Sequence, residues 1–197
     1  MLDQFLAYCT HIKYEFLANY SLFIKWMLVF WATFLVNNIF LKGKLNIFGI
    51  IPRRVIGLPG IIFSPFLHGS FNHLFLNSLM LIILGFFVLI QNPVYFYPIS
   101  AFIVITTGIL TWGAGRDCIH IGASGLIMGY WGYLMANTIA HPSNLAVVIG
   151  AICLYYFSYM FFNLFPTEKQ VSWESHVFGF VTGIGAVYVI PIIYSQI

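Results

Sequence analysis

The sequence predicts an all-α membrane protein that crosses the bilayer with six helices. Of its 197 residues, 61% are hydrophobic and only 7% are charged, whereas a soluble domain carries about a quarter charged residues. Apolar stretches recur along the whole chain, and a helix needs roughly 20 apolar residues to cross a bilayer core. Unpaired backbone groups are costly in hydrocarbon, and the sequence lacks the alternation of a barrel strand, so each crossing segment should be a helix.

Hydropathy places the six spans and leaves a single domain over residues 1–197. The chain shows no internal repeat and no low-complexity tract. Residues 1–21 mix charged residues with aromatic ones and lack the pattern of a cleaved signal peptide, so we expect a retained N-terminal tail. The predicted spans cover residues 22–41, 73–90, 94–112, 124–139, 145–165 and 177–194.

The first loop, residues 42–72, is much longer than the polar turns that follow the second and fourth spans. It carries four basic residues, then glycine and proline, then two short apolar runs. This mixture favours a segment that lies in the membrane interface with its apolar face in lipid. A loosely ordered loop is the alternative.

Charge and cysteine content exclude several classes of partner. The net charge is +3 and the eight Lys and Arg residues are scattered, so we expect no nucleic acid partner. Cys9, Cys118 and Cys153 are far apart and lack ligand-like spacing, which predicts neither a disulfide framework nor a zinc site. We expect no metal and no cofactor, and the sequence indicates no oligomeric state.

Polar side chains at the edges of the spans are the first candidates for function, because they are costly to desolvate. His68, His73, Asn77 and His176 are the clearest of them. His73 and Asn77 lie four residues apart, hence on one helical face, and both offer N–H donors that could hold an oxyanion. Their alternative role is hydrogen bonding between helices, and that of His176 is an interfacial histidine bonded to backbone.

Ser124 becomes a candidate through its context, Gly122-Ala123-Ser124-Gly125, at the start of the fourth span. A serine flanked by glycines can present its hydroxyl where backbones approach closely, and its N–H can face a developing negative charge. Small residues at a helix start are also ordinary packing devices in membranes.

Two glycine stripes strengthen the case for a site. Gly125, Gly129 and Gly132 share one face of the fourth span, and Gly179 and Gly183 follow His176 at similar spacing on the sixth. Such faces allow close contact between helices, so an imidazole at the top of one could hydrogen-bond a hydroxyl at the top of the other. The stripes therefore predict that these two helices lie side by side.

Three motifs formed by these residues resemble those of the rhomboid family. They occur in the family's order on the second, fourth and sixth spans, and the resemblance covers roughly residues 68–183. It implies the six-helix rhomboid core and proteolysis within the membrane by a serine protease. The motifs are H-x4-H-x3-N at His68, His73 and Asn77, G-x-S-G at Gly122–Gly125, and H-x2-G-x3-G at His176, Gly179 and Gly183.

The resemblance also implies roles for individual residues. Ser124 would be the nucleophile and His176 the general base, and the oxyanion would be held by the Ser124 N–H with His73 and Asn77. The substrates would be transmembrane segments of proteins in the lipid bilayer. Supporting positions would be His68, Gly122, Gly125, Gly179 and Gly183.

Two departures from the family pattern are visible. The Trp-Arg pair that many rhomboids carry in the first loop is replaced by Leu58-Pro59-Gly60, and the aromatic residue often found four positions after the serine is Met128. The first loop would then be anchored differently from that of rhomboids with the Trp-Arg pair. A thioether can still contact an aromatic ring favourably, so a working Ser-His dyad is expected.

Three other functions are alternatives to that of a protease of this type. A catalytically silent rhomboid-like protein could bind membrane substrates without cutting them. A metal-dependent protease could use His68, His73, His120 and His176, but the chain has no H-E-x-x-H motif. A transporter or channel would need ionisable groups deep in its spans, and Lys25 is the only charged residue inside any predicted span.

Two arguments about orientation conflict. Six of the eight basic residues fall in the first, third and fifth loops, and the positive-inside rule would put those loops in the cytoplasm. The resemblance implies the opposite, with both termini cytoplasmic and the active site opening outward. We expect the orientation of the family, in the plasma (inner) membrane of a bacterium.

Overall fold

The computed structural model describes residues 2–165 and 172–195, and most of that part of the chain is helical. No β-strand occurs in these ranges beyond a single bridge between Ile50 and His120. The predicted all-α fold is therefore confirmed. In chain order the α-helices are α1 (Leu2–Leu35), α2 (Gly60–Phe63), α3 (Phe71–Gln91), α4 (Phe96–Ala114), α5 (Ser124–Ala140), α6 (Asn144–Phe157) and α7 (Trp173–Tyr194).

Five of the helical segments in the described residues are long and apolar enough to cross a membrane. The helix that corresponds to the predicted fourth span, α5, has 17 residues and would measure about 26 Å at 1.5 Å per residue. Most of α5 is buried, including Tyr130 and Leu134, which are fully enclosed. Other parts of the protein thus enclose most of α5, whereas at most half of the apolar window of each other spanning segment is buried. The five segments are Leu6–Phe40, Phe71–Gln91, Phe96–Ala114, Asn144–Phe162 and Trp173–Tyr194.

The first helix begins about 20 residues earlier than the predicted span. Residues 2–21, expected to be a tail, form the first half of α1, because they contain neither glycine nor proline to interrupt a helix. Hydropathy marks only the apolar part of such a helix. His11 lies on this extension, and its Nε2 is 2.9 Å from the carbonyl oxygen of Ile90 at the end of α3.

The other spans match the prediction with shifted ends. The α-helical part of the fifth span ends at Phe157 and continues as a 3-10 helix over Ser158–Leu164. The last helix begins at Trp173, four residues before the predicted start at Val177, because its first turn is polar. That turn contains Glu174, whose negative charge suits a helix N-terminus.

The first loop is ordered, so the alternative of a loose segment does not hold. It contains α2 and three 3-10 turns, and backbone bonds tie it to the end of α4 and the third loop: Arg53 N–H donates to the Trp112 carbonyl at 2.8 Å, and Ile50 exchanges two bonds with His120. Apolar side chains such as Val55 and Phe63 remain exposed. This exposure fits the predicted position in the membrane interface.

Helices α5 and α7 touch through their backbones, as the glycine stripes predict. A Cβ atom at Gly179 would lie 2.1 Å from the Gly125 carbonyl oxygen, and one at Gly183 would lie 1.9 Å from that of Gly129. Helix α4 packs against the same pair, and the hydroxyls of Thr107 and Thr182 are 2.8 Å apart. These three helices form the frame that holds the candidate site.

Candidate active site

Ser124 is the first residue of α5 and follows a tightly held turn. Gly122 has a φ of +114°, in the left-handed region that favours glycine, and its N–H donates to the Ser64 carbonyl at 2.9 Å. A Cβ atom at Gly122 would lie 2.6 Å from His73 Nε2. The missing side chain thus leaves room for an imidazole beside the turn that presents Ser124.

Two side chains of α3 converge on this turn. His73 Nε2 and Asn77 Nδ2 would lie 2.6 and 3.4 Å from a Cβ at Gly122, two residues before Ser124. The Ser70 hydroxyl caps α3 by accepting from the His73 N–H at 3.2 Å, which fixes the start of the helix that carries both side chains. The first N–H groups of α5 have no partner within their own helix. Several N–H donors therefore surround one point beside Ser124.

His68 forms a hydrogen bond with Asn77 and orients its amide. It is buried, its Nε2 lies 3.1 Å from Asn77 Nδ2, and its ring packs edge-on against that of His73 with centroids 5.0 Å apart. Burial, and to a smaller extent His73, lowers the pKa of His68 to about 3, while the Phe66 backbone opposes this shift in part. The neutral ring accepts from the Asn77 amide, which fixes the direction of the amide group.

The neutral state of His68 predicts a stability that falls in acid. An unfolded histidine titrates near pH 6.5, so the native state is fully favoured above that pH and loses stability as the pH falls from 6.5 towards 3. By linkage the loss at pH 5 is about 2 kcal/mol. We expect the melting temperature of the purified protein in mild detergent to fall between pH 7.5 and 5, and to fall less in His68→Gln.

The matched control is His141→Gln, because His141 is exposed at the far end of α5. Its melting temperature should follow that of the parent. Equal acid sensitivity in the parent and in His68→Gln would show that His68 is not the group responsible.

His176 lies in the first turn of α7 and is buried. The preceding residue, Ser175, lies against the start of α5, because its carbonyl oxygen is 3.4 Å from where a Cβ of Gly125 would be. The imidazoles of His73 and His176 are close enough to interact electrostatically. The fold thus brings α3, α5 and α7, with all four predicted polar residues, to one place.

The remaining predicted positions lie around this centre. Gly125, Gly179 and Gly183 form the contact between α5 and α7, and Met128 is buried one turn below Ser124. In the first loop, a Cβ at Gly60 would lie 2.3 Å from the Gly49 backbone. Close backbone packing therefore anchors the loop that lacks the Trp-Arg pair.

Several polar residues near the site were missed by the sequence analysis. A cavity of about 30 Å³ reaches Ser124, enough for at least one water. Across residues 2–165 and 172–195, no three His, Cys, Asp or Glu side chains form a group that could hold a metal ion. In the sequence, the polar residues between Ser172 and His176 were the feature that could have indicated these additional polar side chains. His120, considered above only as a metal ligand, lines the cavity together with residues that the sequence analysis did not name: Ser64, Thr107, Thr111, Ser172 and Ser175.

Comparison with known proteins places the chain in a family. The family model for the Rhomboid domain matches residues 57–192. The uncharacterized protein Rv1337 of Mycobacterium tuberculosis and Mb1372 of Mycobacterium bovis are each 34% identical over 157 residues, which cover 75% of this chain. ML1171 of Mycobacterium leprae, also uncharacterized, is 29% identical over 140 residues, 66% of this chain and 55% of its own length.

The match spans 65% of the length of the first two of these relatives. The matched Rhomboid domain includes all three motifs on α3, α5 and α7 and most of the helical frame around them. This chain belongs to the rhomboid family.

Proposed function

We propose that this protein is a serine endopeptidase that cuts transmembrane segments of other membrane proteins. The observation that carries the proposal is the convergence of three helices on Ser124: α7 with His176, α3 with His73 and Asn77, and the N-terminus of α5 itself. A hydroxyl nucleophile, a base and oxyanion donors are the parts that acyl transfer needs.

In the proposed reaction, neutral His176 takes the proton of the Ser124 hydroxyl as Oγ attacks the carbonyl carbon of the scissile peptide. The oxyanion of the tetrahedral intermediate accepts hydrogen bonds from the Ser124 N–H, His73 Nε2–H and Asn77 Nδ2–H. The His176 imidazolium then gives its proton to the leaving amine, and the ester remains on Ser124. Water, deprotonated by His176, hydrolyses the ester and frees the enzyme.

The surroundings of Ser124 favour the negative charge that develops. The N-terminus of α5 carries roughly half a positive charge from the aligned peptide dipoles. The Asn77 amide uses one N–H towards His68 Nε2, which leaves its second N–H for the oxyanion. The small cavity beside Ser124, which Ser64, Thr107 and His120 help to line, could hold the hydrolytic water.

The substrate must unwind locally at the cleavage site. Carbonyl groups in a regular helix are hydrogen-bonded and shielded from attack along the helix. Transmembrane segments with helix-weakening residues near the cut are therefore the proposed substrate class.

The central test incubates the purified full chain in liposomes with a transmembrane substrate labelled at both ends, with and without a fluorophosphonate. Cleavage that the fluorophosphonate stops, together with covalent labelling of Ser124, supports the proposal. Binding of the substrate without cleavage or labelling would identify a catalytically silent rhomboid-like protein. Cleavage stopped by a chelator but not by the fluorophosphonate would identify a metal-dependent enzyme.

Asn77→Ala should reduce kcat with little change in KM, because the oxyanion is the only part of the substrate that the amide would contact. The expected loss is roughly 100- to 1,000-fold for a single donor, measured with the same substrate. Asn37→Ala is a matched control, since Asn37 is also a buried amide but lies in the π-helical turn Val36–Phe40 that follows α1, and it bonds to Asn46. If the Asn77→Ala protein has the kcat of the parent, Asn77 has only a packing role.

We further propose that the protein sits in the bacterial plasma membrane with both termini in the cytoplasm and Ser124 opening outward. In a variant lacking Cys9, Cys118 and Cys153, a single cysteine would replace Lys44 in the first loop or Ser195 at the end of α7. A membrane-impermeant thiol reagent applied to intact cells should label the first-loop position. Labelling of the Ser195 position alone would show that the protein has the opposite orientation.

A further inference from the structure

The loop that leads into Ser124 is joined to α7 by a chain of side-chain hydrogen bonds. His120, four residues before Ser124, is buried and its Nδ1 bonds to Ser172 Oγ. Ser172 Oγ lies 2.7 Å from Ser175 Oγ, and the Thr111 hydroxyl donates to Ser175 Oγ at 3.2 Å. The other ring nitrogen of His120, Nε2, is 3.0 Å from the Arg116 carbonyl oxygen.

The Arg116 carbonyl fixes the direction of every bond in this chain. A carbonyl oxygen only accepts, so Nε2 carries the proton and Nδ1 accepts from the Ser172 hydroxyl. Ser172 Oγ then accepts from Ser175, and Ser175 Oγ accepts from Thr111. Each of the three hydroxyl protons has one acceptor, so the chain is complete when His120 is neutral.

The electrostatic surroundings hold His120 in that neutral state. Burial lowers the pKa of His120, and the Arg116 charge acts in the same direction; the bond to the Arg116 carbonyl and the charge of Glu174 oppose the shift. Glu174 is itself paired with Arg116 at 3.4 Å, so a second, charged contact joins the same loop to the same turn of α7.

Ser172 makes this link instead of the capping bond that is usual for a serine before a helix. A serine that precedes a helix normally accepts from an N–H group of the first turn. Ser172 is the N-cap of α7, yet its side chain makes no capping bond and faces His120 and Ser175 instead. The link therefore replaces a local stabilising bond with one between two different parts of the chain.

We propose that His120 is a positioning residue that holds the first turn of α7, through Ser172 and Ser175, against the loop that ends at Ser124. His176 follows Ser175 directly, and Ser124 follows His120 by one short turn. The link thus sets how far the His176 ring lies from the Ser124 hydroxyl. This inference rests on the proposed function, and it adds a residue outside the three motifs.

The size of the effect follows from the sensitivity of catalysis to distance. A displacement of about 1 Å in a reacting group can cost on the order of 100-fold in rate. The substrate would bind to surfaces of the protein away from this link, so KM should change little. Breaking the link should therefore lower kcat and the rate of fluorophosphonate labelling together.

The test removes the link from each end. Ser172→Ala and His120→Ala should each lower kcat by on the order of 100-fold, and the double variant should be no worse than either one, because both remove the same bond. His120→Gln should recover much of the activity, since its amide can donate to the Arg116 carbonyl and accept from Ser172. Ser195→Ala at the exposed far end of α7 is the matched control and should behave as the parent.

The melting temperature of every variant separates positioning from a general loss of structure. Parent-like kcat in Ser172→Ala, additive losses in the double variant, or losses that simply follow the melting temperature without recovery in His120→Gln would each overturn the inference. If the parent itself neither cleaves nor reacts with the fluorophosphonate, the proposed function fails. The link is then judged by the double-variant cycle in unfolding, where coupling between His120 and Ser172 supports it and additivity overturns it.

Discussion

Ser124→Ala and His176→Ala should each abolish cleavage of a transmembrane substrate while the protein still folds and inserts. In a serine hydrolase, removing the nucleophile or the base costs on the order of 10⁶-fold in kcat, so we expect no detectable product. Neither change creates a backbone clash, and Ser124 is only half-buried. The measurement is product formation in liposomes, with circular dichroism and melting temperature recorded for each variant.

Ser195→Ala and His141→Ala are matched controls for these two variants, because each removes the same kind of side chain from an exposed position outside the site. Both should cleave at the parent rate. Turnover by Ser124→Ala above that of empty liposomes would refute the dyad, as would fluorophosphonate labelling of that variant at another serine.

Gly179→Val should cost the protein both stability and activity. Even the first added carbon would lie 2.1 Å from the Gly125 carbonyl oxygen and 3.0 Å from its carbonyl carbon, and backbone cannot move aside as a flexible side chain does. Helices α5 and α7 must then separate, at a cost of about 3 kcal/mol or more. We expect a melting temperature lower by several degrees in detergent and no measurable cleavage.

Gly185→Val on the same helix provides the control, since a Cβ there meets no atom within 4 Å. It should fold and cleave as the parent does. A Gly179→Val protein with the parent's melting temperature and activity would mean that the two helices are not in backbone contact at this level.

The sequence was sufficient to predict the contact of α5 with α7 and the convergence of the polar motifs. Small residues on one helical face have few uses in a membrane other than close approach, and buried polar groups need partners. The register, in which Gly179 meets Gly125 and Gly183 meets Gly129, is seen only in the structure. Ser124 and His176 stand at the same end because the fourth and sixth spans cross in the same direction.

Other features depend on information that hydropathy does not contain. The early start of α1 at Leu2 comes from a polar stretch that is helical without being apolar. Ser172, which bonds to the Nδ1 of His120, lies 52 positions away, and only the path of the third loop brings the two together. A pattern of spacing within one helix cannot reveal such a contact.

The short length of α5 has a consequence for the depth of the site. Its neighbours α3 and α7 have 21 and 22 residues, about 32 and 33 Å at 1.5 Å per residue, close to the roughly 30 Å of a typical hydrocarbon core. Protein encloses α5, so nothing requires its ends to reach the headgroups. Its Ser124 end can be recessed, and bilayer thickness then controls how much water reaches it. Lipids with shorter acyl chains would bring the recess nearer to the aqueous phase, so the same protein would meet a different solvent in membranes of different composition.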